Sequence, residues 1–345
     1  MNSSSAPGHR RPRCTLAMSP PDLARLLLPD PVWNRLAAHA DITPGVLTEF
    51  TSPTALKALA DTDVLLTGWG CPPLDDDALA AAPRLAAVVS ATGAAAPLLT
   101  ATGAAERLRV SNAGLANAVP VAEYSIAMIL LAGKSVFRSA QLYRERRAYL
   151  NREDAFPLAG NYRRTVGIVG ASRIGRLVVE GLRKISDLNV LVADPYLTPA
   201  GADLLGAGLV PLPELMARCD VISLHPPLNA ETRGLISAEL LALVPDGATL
   251  VNTSRGAVVD QDALLAELRA GRLRAVIDVT DPEVLPASHP FYTLENVLLT
   301  PHMAGSVGNE LKRMGAHVVD EIGRFARGEA FLHEELLAPG TAQAG

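Results

Sequence analysis

The sequence predicts an α/β protein with parallel sheets arranged in two domains. Three observations point to it. Short apolar runs rich in β-branched residues alternate with helical stretches along most of the chain, as strands joined by helical crossovers do. One junction, between Thr165 and Asp194, is a glycine turn with a strand on either side. The length, 345 residues, suits two domains rather than one.

In chain order, residues 1–14 read as a flexible tail and Thr15–Met18 as a first strand. Helices are expected over Asp22–Leu28 and Val32–His39. Further strands are expected at Asp63–Thr67, Leu85–Ser90 and Arg107–Ser111, with helical residues following Asp75. Asn112–Ala118 is small and polar and reads as a linker or hinge; a second hinge is expected near Ala304–Ser306. Val119 opens a long helix whose apolar residues occupy more than one face, which calls for burial. Arg144–Arg152 reads as a charged, solvated surface arm. Thr165–Val169, Asn189–Ala193, Leu209–Val210, Asp220–Leu224, Ala248–Val251, Arg274–Ile277 and Val297–Thr300 are the later strands. Helices are expected over Pro213–Ala217, Asp260–Leu268 and Asn309–Arg327, the last returning to the first domain.

The glycine turn is Gly170-Ala171-Ser172-Arg173-Ile174-Gly175, followed by a helix and a strand that ends at Asp194, 24 residues after Gly170. This is the G-x-G-x-x-G dinucleotide fingerprint with serine at its middle glycine. The first glycine permits the tight turn and the third permits close helix–strand packing. The pyrophosphate sits on the free N–H groups of the helix N-terminus. Serine is small, and its hydroxyl is expected to donate to a phosphate oxygen. Asp194 would accept from the adenosine ribose hydroxyls and repel a 2′-phosphate, which selects NAD over NADP.

Composition narrows the function. Hydrophobic residues make up 49% and charged residues 19%, a globular balance. The net charge of −5 and the absence of a long basic run argue against a nucleic-acid partner. Apolar runs are interrupted, as by Pro120 and Glu123, so no membrane span is expected. Cys14, Cys71 and Cys219 lack metal-ligand spacing, and the seven histidines are scattered. The expectation is a reduced, cytoplasmic protein with no metal.

Chemistry-bearing residues gather at the carboxyl ends of the predicted strands, where open parallel sheets bind ligands. Gly170, Asp194, His225, Arg255, Asp278 and His302 all occupy such ends. With a nicotinamide across this edge, a carbonyl acceptor needs polarising, protonating and orienting. Arg255 offers a bidentate donor for a carboxylate beside the carbonyl. Imidazole is the side chain that titrates nearest neutrality, so His302 is the expected proton donor and acceptor. A carboxylate would orient that ring: Glu283, nineteen residues earlier, is the first candidate and Asp281 the second.

Several stretches resemble one family. VGIVGASRIG, CDVISLHPPLNAETRGLI, NTSRGAVVDQDALLAEL, DVTDPEVLPASHPFYTLENVLLTPHMAG and NAGLANAVPVAEY resemble the D-isomer-specific 2-hydroxyacid dehydrogenases, which include glyoxylate and hydroxypyruvate reductases and phosphoglycerate dehydrogenases. They cover most of Asn112–Gly305, whereas the first 110 residues resemble the family only loosely. The resemblance implies two Rossmann-like or flavodoxin-like domains, the NAD-binding domain (115–304) inserted into a discontinuous substrate domain (1–114 and 305–345). It implies Arg255 on the substrate carboxylate and carbonyl, His302 as acid/base and Glu283, through its place in D-V-T-D-P-E, as the partner of His302. Cofactor contacts would fall on Gly170, Ser172, Arg173, Ile174 and Asp194, on His225 and Thr232 beside the adenosine, and on Thr253 and Asp278 nearer the nicotinamide. A homodimer is implied, with the long helix near its interface.

The loop Ser90–Thr100 departs from the family. Relatives carry G-x-G and an acid there, with backbone N–H groups holding the substrate carboxylate; Thr92, Gly93 and Ala94 are the matching positions. Only Gly93 remains, Ala95 stands for the second glycine and Pro97 for the acid. Val307 stands where a hydroxylated residue is frequent. The reading is therefore an NAD-dependent oxidoreductase interconverting a small 2-oxo acid and a D-2-hydroxy acid, with an atypical substrate pocket. The alternative is an NAD(H)-sensing binding or co-regulator protein on the same scaffold.

Overall fold

The computed structural model describes residues 10–185 and 187–337. The chain divides into two compact units, with boundaries after Asn117 and after Gly305. The expected flexibility of residues 1–9 lies outside the described residues. Arg13 and Cys14, read as the end of that tail, already belong to a strand.

The first unit holds β1 (Arg13–Ala17), β2 (Asp41–Leu47), β3 (Val64–Thr67), β4 (Ala87–Ser90) and β5 (Arg109–Asn112). Among the described residues they form one parallel sheet in the order β2-β1-β3-β4-β5. This is the flavodoxin-like order of a doubly wound fold. Every residue of β3 and β4 is buried, because helices cover both faces of the sheet. Strand alternation sends Val64, Leu66 and Val89 to one core with Leu36, Met314 and Val318. Leu65 and Val88 go to the other with Phe50, Leu59 and Leu79. The helix Leu311–Ala326 thus packs on strands laid down by the first residues of the chain. A Cβ added at its Gly315 would lie 1.7 Å from the Leu27 carbonyl oxygen, so helix and backbone touch directly there.

Both edges of this sheet differ from the sequence expectation. β2 was not foreseen: it carries Pro44 and Gly45, and an outer strand tolerates them because only one side must pair. At β5, Ser111 bridges Glu334 antiparallel and the Glu335 N–H donates to the Val110 carbonyl at 2.8 Å. The segment beyond the last helix therefore closes that edge. The expected linker Asn112–Ala118 is helical from Gly114 onward, since the Asn112 Oδ1 accepts from the Gly114 N–H at 2.8 Å and starts the helix.

The second unit holds β6 (Thr165–Val169), β7 (Asn189–Ala193), β8 (Gly208–Leu209), β9 (Val221–Leu224), β10 (Thr249–Asn252), β11 (Arg274–Ile277) and β12 (Val297–Leu299). They form a parallel sheet ordered β12-β11-β10-β9-β6-β7-β8, the Rossmann order with one further strand at its edge. The strand order reverses between β6 and β9. On one face Val178, Val179 and Leu182 of the helix Arg173–Ile185 meet Ile168, Val192 and Ile129. On the other, Leu215, Leu241, Leu264 and Leu268 meet Ile222, Leu250 and Ile277. The helix Gly114–Gly133 is long and apolar enough to cross a membrane, but its Ala122, Ile129 and Ala132 pack into that first core. It is a core helix.

Candidate active site

The glycine turn sits at the switch between β6 and β9. Gly170 has φ +91°, and a Cβ there would lie 2.8 Å from the Pro226 nitrogen. A Cβ at Gly175 would lie 2.0 Å from the Gly170 carbonyl oxygen. Both neighbours are backbone, so neither can yield, and these two glycines are required by contact. The helix begins at Arg173, and the N–H groups of its first turn have no helical acceptor. Arg173 is exposed and Ile174 half-buried beside them. A dinucleotide pyrophosphate fits this cradle.

The Ser172 hydroxyl has partners within the protein. It donates to the His225 carbonyl at 2.8 Å and accepts from the Gly175 N–H at 3.4 Å. It ties the turn to the end of β9. Asp194 stands at the end of β7, where its carboxylate accepts from the Ala171 N–H at 2.7 Å and the Tyr196 N–H at 2.8 Å. The fingerprint acid is thereby locked beside the turn.

His225 lies beneath it. The ring is only 3% exposed, its Nε2 is 2.9 Å from Ser223 Oγ and its Nδ1 has no partner. Burial pushes its pKa down to about 3. A ring so placed supports the turn from below. Thr232 braces the following loop: its hydroxyl donates to the Pro227 carbonyl at 2.6 Å and accepts from the Asn229 N–H at 2.9 Å. Thr253 is buried, 3.0 Å from Ser125 Oγ. Since Ser125 donates to the Val121 carbonyl, Thr253 donates to Ser125, which fastens the end of β10 to the long helix.

Arg255 follows β10 in a turn built by Asn252. The Asn252 Oδ1 accepts from the N–H and hydroxyl of Ser254, at 3.0 and 2.8 Å, and its Nδ2 donates to the Arg255 carbonyl at 3.0 Å. Arg255 is exposed, donates to the Ser254 carbonyl at 2.7 Å, and among the described residues meets no carboxylate. A Cβ at Gly256 would lie 2.1 Å from the Thr280 carbonyl carbon, so this turn rests directly on the loop that carries Glu283. There Thr280 Oγ1 reaches the carbonyls of Pro282 and Glu283 at 2.8 and 3.0 Å and shapes the loop.

His302 Nδ1 lies 2.6 Å from Glu283 Oε1. A carboxylate acceptor requires the proton on Nδ1, which leaves Nε2 as the nitrogen available to a substrate. Asp281, the second candidate, faces Arg233 at 3.6 Å. His302 has φ +53°, an uncommon conformation for a residue other than glycine, although one that histidine adopts more readily than most, and one found at functional positions. Asp278 imposes it. This 2%-exposed carboxylate accepts from Thr300 Oγ1 at 2.6 Å and from the N–H groups of Met303 and Ala304, each at 2.9 Å. Its carbonyl accepts from the His302 N–H at 2.9 Å. Tyr124 completes the chain through Thr300, 2.8 Å away, with its hydroxyl pKa raised by burial and by Asp278. Asn252, Thr280, Tyr124 and Thr300 escaped the sequence reading. For Asn252 the N-T-S-R-G run carried a turn signal; the others carried none.

The substrate loop belongs to the first unit. Thr92 Oγ1 donates to the Ala94 carbonyl at 2.7 Å, and the Thr92 carbonyl accepts from the Ala113 N–H at 3.0 Å. Gly93 and Ala94 are exposed. No acceptor meets the N–H groups of Thr92, Gly93 or Ala94 among the described residues. Burial pushes the thiols of Cys14, Cys71 and Cys219 up to about 12, which disfavours their thiolates.

Fold and turn define a dinucleotide-binding α/β protein. Comparison with known proteins gives its family. Residues 126–304 match the model described as the D-isomer specific 2-hydroxyacid dehydrogenase, NAD binding domain. The chain is 34% identical over 275 residues to a D-3-phosphoglycerate dehydrogenase of Mycobacterium leprae, covering 79% of this chain and 51% of that protein. It is 32% identical over 259 residues to a glyoxylate reductase of Korarchaeum cryptofilum, covering 74% and 78%. The crystal structure of a phosphoglycerate oxidoreductase from Rhizobium etli shares the fold, with TM-score 0.78, 22% identity and coverage of 96% and 100%. The chain belongs to the D-isomer-specific 2-hydroxyacid dehydrogenase family and contains its NAD-binding domain. It spans about half the length of the phosphoglycerate dehydrogenases it matches.

Proposed function

We propose that the chain is an NAD-dependent oxidoreductase that interconverts a 2-oxo acid and a D-2-hydroxy acid. The observation that carries this reading is the 2.6 Å contact of His302 Nδ1 with Glu283 in a unit whose Arg255 meets no carboxylate among the described residues. The cradle Gly170–Ile174 would hold the pyrophosphate and Asp194 the adenosine ribose. Bound there, the nicotinamide supplies or takes the hydride. Arg255 orients the substrate carboxylate and polarises its carbonyl. In reduction His302 Nε2 gives a proton to the carbonyl oxygen, and in oxidation it takes one from the hydroxyl. Glu283 holds the ring for both. The N–H groups of Thr92, Gly93 and Ala94 would receive the substrate carboxylate.

A panel of 2-oxo acids with NADH, followed by loss of its absorbance, tests the reading. Turnover is expected with at least one, and H302A should lower it by roughly 10²–10⁴-fold. Tight NADH binding without turnover on any acid would favour a nucleotide sensor instead. We further propose a cytoplasmic homodimer in which a second copy covers exposed apolar residues such as Leu115 and Val136 along the long helix and its successor. Light scattering coupled to size exclusion measures that state.

A further inference from the structure

We propose that Glu335 is a positioning residue for the substrate loop, supplying from the far end of the chain the acid that the loop itself lacks. Pro97 stands at the family's acid position and has neither a carboxylate nor an N–H. Glu335, 240 residues from Ala95 in sequence, brings a carboxylate to the two residues before Pro97: Oε2 accepts from the Ala95 N–H at 2.8 Å and Oε1 from the Ala96 N–H at 3.1 Å. Oε2 also accepts from Asn112 Nδ2 at 2.7 Å, and Asn112 Oδ1 takes the Gly114 N–H. One carboxylate thus joins the loop, the end of β5 and the start of the long helix.

The segment that delivers Glu335 is firmly held. Phe331 is buried, with the Arg109 guanidinium 4.4 Å above its ring. The buried Glu321 carboxylate accepts from the N–H groups of Leu332 and His333, and Ser111 Oγ donates to the His333 carbonyl at 2.9 Å. Glu335 then pairs with β5 through Val110.

The consequence lies one residue upstream. Of five successive N–H groups, those of Ala95 and Ala96 are taken by Glu335, whereas those of Thr92, Gly93 and Ala94 meet no acceptor among the described residues. Ala95 is fully buried, so an N–H stripped of its acceptor there is costly and the backbone must move to satisfy it. Such movement would spread the three open donors. Glu335 belongs to the first unit, and the glycine turn and the His302–Glu283 pair belong to the second. Its effect should therefore fall on substrate affinity alone.

This inference rests on the function proposed above, and the test separates the two. E335A should raise KM for the best 2-oxo acid about tenfold, equivalent to about 1.4 kcal/mol. Its kcat and NADH Kd should stay within about twofold of the parent. E335Q, which keeps an acceptor oxygen, should recover part of KM and covers the case in which E335A folds poorly. Hydrogen exchange should quicken over residues 92–99 in E335A. Unchanged KM and unchanged exchange would overturn the proposal, as would a fall in kcat or NADH affinity matching the rise in KM. A parent protein that reduces no 2-oxo acid defeats the functional reading instead, and the exchange measurement then still decides whether Glu335 holds the loop.

Discussion

Replacing Asp278 by Asn changes one oxygen to an amide nitrogen and tests how His302 is held. The Asn oxygen can keep the two partners of Oδ1, Thr300 Oγ1 and the Met303 N–H. The new Nδ2 then faces the Ala304 N–H, which lay 2.9 Å from Oδ2, and two donors oppose each other in a site 2% exposed. A buried donor without an acceptor costs about 1–3 kcal/mol, and the two retained bonds each weaken once the charge is gone. Relief from burying a charge offsets part of this. The expected net loss is about 2–3 kcal/mol. At about 2–4 °C per kcal/mol for a unit of this size, the melting temperature falls by about 4–12 °C. The positive φ of His302 itself costs about 1–3 kcal/mol, so a weaker anchor lets the residue relax and kcat should fall about tenfold or more. Differential scanning calorimetry and steady-state kinetics on D278N measure both, with T300V as a milder control. A melting temperature within about 2 °C of the parent, together with unchanged kcat, would refute this account of the loop.

Two further outcomes follow from burial. His225 has a folded pKa of about 3 against an ordinary value of 6.5, so between those pH values only the unfolded chain takes up the proton. Stability is therefore complete above about pH 6.5 and falls with acidification by about 1.4 kcal/mol per unit, to a loss of roughly 4–5 kcal/mol near pH 3. Urea unfolding from pH 7 to 4 should show a shallower acid slope in H225Q than in the parent; equal slopes would mean the ring is not buried neutral. In G315A the new methyl meets the Leu27 carbonyl oxygen, and the helices must part, costing about 1–3 kcal/mol or more. A first-unit unfolding midpoint that does not move would show that this contact is looser than described.

Much of the second unit was legible because its strands are buried on both faces. β6, β7 and β11 have the bounds expected from their apolar runs, and the carboxyl edge gathers residues the topology said it would. The first unit was harder. β2 hid behind Pro44 and Gly45, which a strand predictor reads as a turn and an edge tolerates. Three short helices, Pro53–Ala60, Pro199–Leu205 and Ala238–Leu243, escaped although Ser52, Thr198 and Ser237 cap them with their side chains. Asn112–Ala118 looked like a hinge because its residues are small, which masked the local start signal of Asn112, whose side chain accepts from the Gly114 N–H two residues on. Ser172 shows a different limit: the hydroxyl was legible, but its partner, the His225 carbonyl, lies 53 residues on. The roles of Asp278 and Glu335 likewise depend on contacts made far along the chain.

The first sheet has a history as well as a shape. Its core needs Leu311, Met314, Val318, Ile322 and Phe331 against Leu16, Val64 and Val89. Between Asn117 and Ser306 lie the 188 residues of Ala118–Gly305, which form the other unit. A ribosome adding about 5–20 residues per second emits them in roughly 10–40 s. Throughout that interval the strands made first wait with an uncovered apolar face, while the unit made second can finish. The older half of the molecule is thus the last to mature, and nascent-chain quality control would meet it as an unfinished sheet.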